Sequence, residues 1–155
     1  MIEIERKFLV KSNDFIRLAS SKLFIQQGYL STDPHRTVRV RIRDKQAFLT
    51  IKGVSNASGM SRFEWEKEIP LNEGKALMTL CLPTIIEKTR YLVSQGELYF
   101  EVDVFEGNHK GLVLAEIEQP SETVKINLPP WIGKEVTGQK AYYNSYLSSK
   151  ELKKS

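Results

Sequence analysis

The chain has 155 residues, of which 41% are hydrophobic and 27% are charged, and its formal net charge is +4. This length and composition predict one globular domain over residues 1–155, and they exclude both wholesale disorder and, with a single cysteine, an internal disulfide framework. Without a basic run, a signal pattern or an apolar stretch of membrane-spanning length, we expect a cytoplasmic protein with no nucleic-acid or membrane partner.

Predicted strands with one charged face recur along the chain. The first, at residues 2–9, places Glu3, Glu5 and Lys7 on one side, because successive side chains of a strand point to opposite faces. The later segments repeat this alternation with apolar residues on the opposite side. Their charged faces carry Arg39, Arg41, Arg43, Lys52, Glu64, Glu66, Glu68, Lys88, Arg90, Glu101, Asp103, Glu116 and Glu118.

Helical patterns lie between and after these strands. They occur at residues 14–20, at residues 74–82 and at residues 139–154 near the end of the chain. Each pattern carries apolar residues that can pack on a sheet. The helices are therefore expected to cover part of the apolar side of the strands.

Spacing alone leaves two arrangements of the charged faces open. If they point outward, the apolar faces form a sandwich core beneath a regular ionic surface. If they point inward, the sheet closes into a barrel with an ionic interior, and its apolar outside needs cover from helices or a partner.

The chemistry of the charged residues favours the inward arrangement. Sixteen buried ionisable groups are costly unless they are paired or meet a ligand that matches their charges. Rows of bases suit a ligand with several phosphates, and a hard divalent cation relieves the repulsion between crowded carboxylates while it bridges to phosphate oxygens. The chain has no glycine-rich phosphate loop. The charged rows therefore predict a site for a metal ion and a polyphosphate.

Several of these segments resemble, in order, the CYTH domain family, also called the triphosphate tunnel metalloenzymes. The signature Glu-x-Glu-x-Lys appears at residues 3–7, and the Arg39/Arg41 pair and Lys52 also match the family pattern. The other matching segments are QQGYL (26–30), SRFEWE (61–66), EKTRY (87–91), FEVDVFEG (100–107), AEIE (115–118) and PPWIGKEVT (129–137). The resemblance spans nearly the whole chain.

This resemblance implies an α+β fold, namely an eight-stranded antiparallel β-barrel with flanking helices and a C-terminal helix near the mouth of the tunnel. It implies Mg²⁺ or Mn²⁺ held by Glu3, Glu5, Glu116 and Glu118. It also implies catalytic roles for Lys88, Glu64 and Glu66, and supporting roles for Tyr29, Glu101 and Asp103. The implied phosphate ligands are Lys7, Arg39, Arg41, Lys52, Lys88 and Arg90.

The compact form of the chain resembles the short bacterial inorganic triphosphatases, which split tripolyphosphate into pyrophosphate and phosphate. Thiamine triphosphatase and class IV-like adenylate cyclase are alternatives within the family, and a polyphosphate- or nucleotide-binding module is the non-enzymatic alternative. The expected partner is a small triphosphate, and the expected assembly is a monomer or homodimer. Gln139 and Ala141 depart from relatives that often have an acid and an arginine there, which bears on how the C-terminal helix docks.

Overall fold

The computed structural model describes residues 1–149. Its strands are β1 (Ile2–Val10), β2 (Ser21–Ser31), β3 (Thr37–Arg43), β4 (Gln46–Lys52), β5 (Ser61–Ile69), β6 (Ile86–Gln95), β7 (Leu98–Phe105), β8 (Val113–Glu118) and β9 (Ile132–Glu135). Its α-helices are α1 (Asp14–Leu18), α2 (Leu71–Met78) and α3 (Asn144–Ser149). Short 3₁₀ turns span Gly107–His109 and Lys140–Tyr142.

Strands β1 to β8 form a closed antiparallel barrel. The neighbours follow the order β5, β4, β3, β2, β6, β7, β8, β1, and β1 also pairs with β5, which closes the sheet on itself. Strand β9 adds beside the second half of β1. The eight-stranded antiparallel barrel with flanking helices is thus confirmed, and the charged faces point inward.

Tight hairpins fix the register between neighbouring strands. Arg43 pairs with Gln46 across the turn at Asp44 and Lys45, and Asp44 adopts a φ of 52°. Gln95 pairs with Leu98 across a turn in which Gly96 has a φ of 61°. Positive φ is the conformation that two-residue hairpins require and that Asp and Gly tolerate. Because a slip of one residue would turn every side chain to the other face, these turns keep the charges inside.

The main apolar core lies outside the barrel, against β1, β6, β7 and β8. Phe100 is fully buried there, and its ring meets those of Phe8 and Trp131 edge-on, with centroids 6.2 and 5.4 Å apart. Helix α1 contributes Phe15, which is 1% exposed. Helix α2 covers β3 and β4, where Gly74 lies so close to Ala47 that no larger residue fits. The predicted covering role of the helices is confirmed.

Each helix is shorter than its sequence pattern suggests. Helix α1 ends at Leu18 rather than residue 20, and α2 ends at Met78 rather than residue 82. The C-terminal pattern over residues 139–154 begins as a 3₁₀ turn, becomes α-helical only at Asn144, and lies outside the described residues beyond 149. Apolar residues after Met78 instead fill a turn that packs Cys81 against Gly28 of β2. Among residues 1–149, no helix has both the length and the apolar character needed to cross a membrane.

Helix α3 packs against one end of the barrel. Leu147 joins a cluster of buried residues that includes Ile86, Phe105, Leu114 and Val136. Ser148 Oγ donates a hydrogen bond of 2.9 Å to the carbonyl oxygen of Thr84. The C-terminal helix therefore lies at the mouth of the barrel, as predicted, and Leu147 anchors it there on apolar residues.

Replacing Phe100 by Ala should lower the free energy of unfolding by about 3–5 kcal/mol, because it leaves a cavity among aromatic rings that cannot collapse. Chemical denaturation measures the change. Tyr99→Ala is the matched control, since Tyr99 is the neighbouring residue and is 50% exposed. Equal losses in the two variants would contradict the position of the core.

Candidate active site inside the barrel

A cavity of about 170 Å³ lies inside the barrel. Nearly every predicted site residue touches it, since their positions on eight strands share one face. The predicted residues on its wall are Glu3, Glu5, Lys7, Tyr29, Arg39, Arg41, Lys52, Glu64, Glu66, Lys88, Arg90, Glu101, Glu116 and Glu118. Asp103 is 1% exposed and lies behind the wall, in contact with Lys88 and Arg90. The structure thus brings the predicted set together.

Five further residues line the same cavity: Thr37, Arg43, Arg62, Asn144 and Ser145. The sequence carried a signal for Arg62, which has the same alternation as Glu64 on β5 and was overlooked. Asn144 and Ser145 had no local signal, because only the closure of the chain over the barrel end brings α3 to the cavity. Glu68, at the exposed end of β5, is not on the wall.

Asp103 connects two of the bases. Its carboxylate accepts two hydrogen bonds from Arg90, at 2.7 and 2.9 Å, and lies 2.7 Å from Lys88 Nζ. Burial opposes ionisation of this carboxyl, but Arg90 and Lys88 outweigh it and lower its pKa from 3.8 to about 2. Arg90 also donates a 2.9 Å hydrogen bond to Glu101. Asp103 therefore fixes both bases in place.

Lys88 is fully buried. Burial is the main reason why its pKa falls from 10.5 to about 7. The charges of Arg90 and Arg41 lower the pKa further, and the carboxylate of Asp103 opposes the shift. An anion placed next to its ammonium would favour the charged form. Lys88 is thus a base whose charge depends on what the cavity holds.

Two pairs of carboxyl groups lie in hydrogen-bond contact. Burial and the charge of Glu116 raise the pKa of Glu5 well above its usual 4.5. Burial of Glu116 is outweighed by Lys7 and by the hydrogen bond with Glu5, which lower the pKa of Glu116 well below that value. Glu116 is therefore the member of the pair that favours the ionised form, and Glu5 the member that favours the protonated form.

Glu3 and Glu64 form the second pair. Burial of Glu3 is overcome by Lys52, whose Nζ lies 2.9 Å away, and the pKa of Glu3 falls to about 2. Burial and the hydrogen bond with Glu3 raise the pKa of Glu64. Within residues 1–149, no three or more acidic, histidine or cysteine side chains are already arranged to hold a metal ion. The carboxyl groups meet in pairs instead.

Arg41 has no ion pair among the described residues, and Arg39 has only a long one. Arg41 Nε donates to Gln27 Oε1 at 3.0 Å, and burial with the charges of Arg39 and Arg90 lowers the pKa of Arg41 to about 9. Arg39 reaches Glu66 only at 3.4 Å, and its buried Nε has no hydrogen-bond partner among the described residues. Buried donors without partners are rare in folded proteins. These two guanidinium groups are therefore poised to meet an anion.

The segment before α3 lies over one end of the cavity. Lys7 Nζ donates to the carbonyl oxygen of Tyr142 at 3.1 Å and lies 5.5 Å from the ring centre of Tyr143. The α-carbon of Gly138 lies where a side chain on Gly59 would need to be, so the two backbones touch. Gln139 and Ala141 are exposed. Docking of this segment therefore does not depend on an acid and an arginine at those two positions.

The opposite side of the cavity is open to solvent. The side chains of Glu66 and Glu101 are 39% and 36% exposed, and Glu118 is also exposed. A closed barrel with a cavity open on one side, lined by rows of bases beside carboxyl pairs, is the arrangement expected of a protein that takes small anions inside its sheet.

The chain belongs to the CYTH domain family, whose model matches residues 1–152. It is 44% identical to an inorganic triphosphatase of Acetivibrio thermocellus over 146 residues, which cover 94% of this chain and 92% of that protein. It is 38% identical to an inorganic triphosphatase of Nitrosomonas europaea over 154 residues, which cover 96% and 97% of the two chains. The crystal structure of the inorganic triphosphatase NE1496 matches with a TM-score of 0.67 and 33% identity, covering 96% of this chain and 99% of that one.

Replacing Asp103 by Asn should lower the free energy of unfolding by about 3–5 kcal/mol at pH 7, because two buried cations lose their shared partner. The folded-state pKa of Asp103 lies below 3.8, so its contribution is present above pH 3.8 and is lost as the pH falls towards 2. The gap between wild type and variant should shrink over that range. Denaturation at several pH values measures it.

Glu101→Gln is the control, since Glu101 binds the same Arg90 from a more exposed position. We expect its cost to stay below about 1 kcal/mol. A loss as large as that of Asp103→Asn would contradict the central position of Asp103.

Proposed function

We propose that the chain hydrolyses inorganic triphosphate to pyrophosphate and phosphate with the help of a divalent cation, as a metal-dependent phosphohydrolase. The observation that carries the proposal is the cavity inside the barrel, which is lined both by Arg39 and Arg41 and by the neighbouring carboxyl groups of Glu5 and Glu116. Relatives at 44% and 38% identity are named inorganic triphosphatases. The arrangement matches what a triphosphate bound to a metal ion requires.

The bases of the cavity are assigned to the phosphates. Arg39 and Arg41 provide planar, charged guanidinium groups. Their N–H groups that have no partner in the protein suit phosphate oxygens. Lys7 lies on β1, across from Glu116, and reaches the same space. The full proposed set is Lys7, Arg39, Arg41, Lys52, Lys88 and Arg90.

The carboxyl groups Glu3, Glu5, Glu116 and Glu118 are assigned to the metal. Mg²⁺ is usually held by one or two carboxylates together with waters and substrate phosphates, so a pair such as Glu5 and Glu116 is sufficient protein ligation. A cation in contact with this pair would relieve the repulsion between the two carboxylates. Oxygen ligands suit Mg²⁺ or Mn²⁺. Such an ion, when bound, supplies Lewis-acid stabilisation of phosphate oxygens.

Three residues are assigned to the chemical step. Lys88 can neutralise the charge that develops on the transferring phosphoryl group, because a phosphate beside it favours its protonated form. Glu64 and Glu66 lie on β5 on the open side of the cavity, where they can orient the attacking water and take its proton. Thr50 fixes Glu66 through a 2.8 Å hydrogen bond.

Supporting roles go to Tyr29, Glu101 and Asp103. Asp103 and Glu101 hold Arg90, and Tyr29 lies at the cavity wall. Tyr29 carries the only aromatic ring among the described residues on this wall, so no aromatic pair is present there to stack on a nucleobase or a thiazolium ring. This favours the inorganic substrate over thiamine triphosphate or ATP. The single domain over residues 1–155, the cytoplasmic location and a monomer or homodimer stay predictions.

Inorganic triphosphate should be cleaved at least roughly tenfold more efficiently than ATP, with no cyclic nucleotide formed, because a nucleoside adds bulk without contacts and displaces the reacting phosphoryl group. Turnover per KM for triphosphate, ATP and thiamine triphosphate at matched free Mg²⁺ or Mn²⁺, with products resolved by ion chromatography, measures this. Comparable values for ATP, or cyclic AMP among the products, would refute the substrate assignment. Binding without any phosphate release would favour a binding module.

Glu5→Gln should abolish metal-dependent hydrolysis and weaken Mn²⁺ binding while leaving the melting temperature unchanged or higher. Gln resembles the protonated carboxyl that the raised pKa of Glu5 favours, so the fold loses nothing, whereas the metal loses a charged ligand. Calorimetric titration with Mn²⁺ and thermal melts separate the two effects. Glu68→Gln, which removes a charge outside the cavity, is the control. Unimpaired Mn²⁺ binding by Glu5→Gln would rule out this ligand.

A further inference from the structure

The side chain of Gln27 is a neutral group buried between two cations. It is fully buried on β2, beside Arg41 of β3 in the sheet register. Its Oε1 accepts a hydrogen bond from Arg41 Nε at 3.0 Å, and its Nε2 donates to Asn144 Oδ1 at 2.9 Å. Because a guanidinium can only donate, the oxygen of Gln27 has to face Arg41 and its NH₂ group has to face away.

Asn144 continues the contact to the second cation. Its Oδ1 also accepts a hydrogen bond of 2.9 Å from Lys88 Nζ. The four side chains therefore form one continuous line, Arg41–Gln27–Asn144–Lys88, and both of its ends lie on the cavity wall. We name the two central residues, Gln27 and Asn144, the amide bridge.

We propose that the amide bridge positions Arg41 and Lys88 for phosphate binding without neutralising either cation. This inference rests on the proposed function and adds two positioning residues to it. Gln27 holds Arg41 by Nε, the atom next to its stem, and so leaves the outer nitrogens free for an anion. Asn144 holds Lys88 in a similar way, because its Oδ1 accepts a hydrogen bond from one of the three N–H groups of the ammonium and adds no charge.

Amides are the side chains suited to this position, because neither a cation nor a carboxylate could take their place. Arg41 and Lys88 repel each other, and a third cation between them would add to that repulsion. A carboxylate would hold both in place but would cancel the charge that binds the substrate. Asp103 already pairs with Lys88 and Arg90 from behind the wall, so a second carboxylate at the bridge would also compensate Arg41, which has no carboxylate partner among the described residues. The amide bridge orders Arg41 and Lys88 at the cavity wall and adds no negative charge beside them.

Gln27→Glu tests the proposal, because it keeps the shape of the side chain and places a carboxylate beside Arg41. The new ion pair with Arg41 offsets the loss of the hydrogen bond from Nε2 to Asn144 Oδ1, so the melting temperature should stay close to that of wild type. The affinity for inorganic triphosphate should fall by about 10- to 100-fold, the usual value of one hydrogen bond to a charged group. Calorimetry with inorganic triphosphate without metal, thermal melts, and the separate KM and kcat values with Mg²⁺ give the three readouts.

Gln26→Glu is the matched control, since it makes the same change on the opposite face of β2. We expect its affinity for triphosphate to stay within about twofold of wild type. A purely structural role for Gln27 predicts that stability and kcat fall together while affinity stays constant, which is the opposite of the split expected here.

Asn144→Asp makes the same change at the other end of the bridge and should also weaken triphosphate binding. If either folded variant binds triphosphate as tightly as wild type, the positioning role of that residue is overturned. If neither variant folds, the bridge is structural and the inference is likewise overturned. If wild type binds no triphosphate, the proposed function itself fails, and this outcome is distinct because it appears before any variant is compared.

Discussion

The opposition of charge between neighbouring strands is the interaction on which the rest of this protein depends. Burying so many ionisable groups inside a barrel is costly unless most of the charges find partners across the sheet. Asp103 shows how this works, because one buried carboxylate binds Lys88 on one side and Arg90 on the other. Lys52 holds Glu3 in the same way from the opposite part of the wall. These contacts replace the apolar packing that usually fills a small barrel.

This interior moves the apolar core to the outside of the barrel. Phe8, Phe100 and Trp131 pack behind β1 and β7, where α1 and the segment leading into β9 cover them. The arrangement explains why short helices are sufficient. Each needs only to cover a patch of sheet, as Phe15 of α1 does, while the closed ring of hydrogen bonds already satisfies the strand edges.

The strand faces could be predicted from the sequence because alternation is a local property. Glu3, Glu5 and Lys7 share a face in any strand, and the cost of burying them together pointed to an ionic cavity. The resemblance of ordered segments to the CYTH family then supplied strand number and closure, which periodicity alone left open. Helix lengths were predicted too long, since the chain after Met78 turns and packs Cys81 against Gly28 rather than continuing the helix.

Contacts between distant parts of the chain could not be read from local patterns. Nothing in YYNSYL indicates that Asn144 meets Lys88, which lies 56 positions earlier, because that contact exists only after the barrel has closed. Gln27 escaped notice for a related reason. An amide among charged residues looks like a neutral spacer until its two partners are known. Arg62 differs from both, because it lies two residues before Glu64 on β5 and the alternation of the strand places both on the same face.

Two features of the cavity are incomplete in complementary ways. Arg41 has no carboxylate partner among the described residues and Arg39 has only Glu66 at 3.4 Å, whereas burial and the charge of Glu116 raise the pKa of Glu5. A polyanion alone would satisfy the arginines and repel the carboxylates, and a cation alone would do the reverse. A polyphosphate that carries its own metal ion satisfies both, so each component improves the site for the other. Under the proposed function, reciprocity makes the coupling between metal and phosphate equal in both directions, so the cavity would select the complex over either free ion.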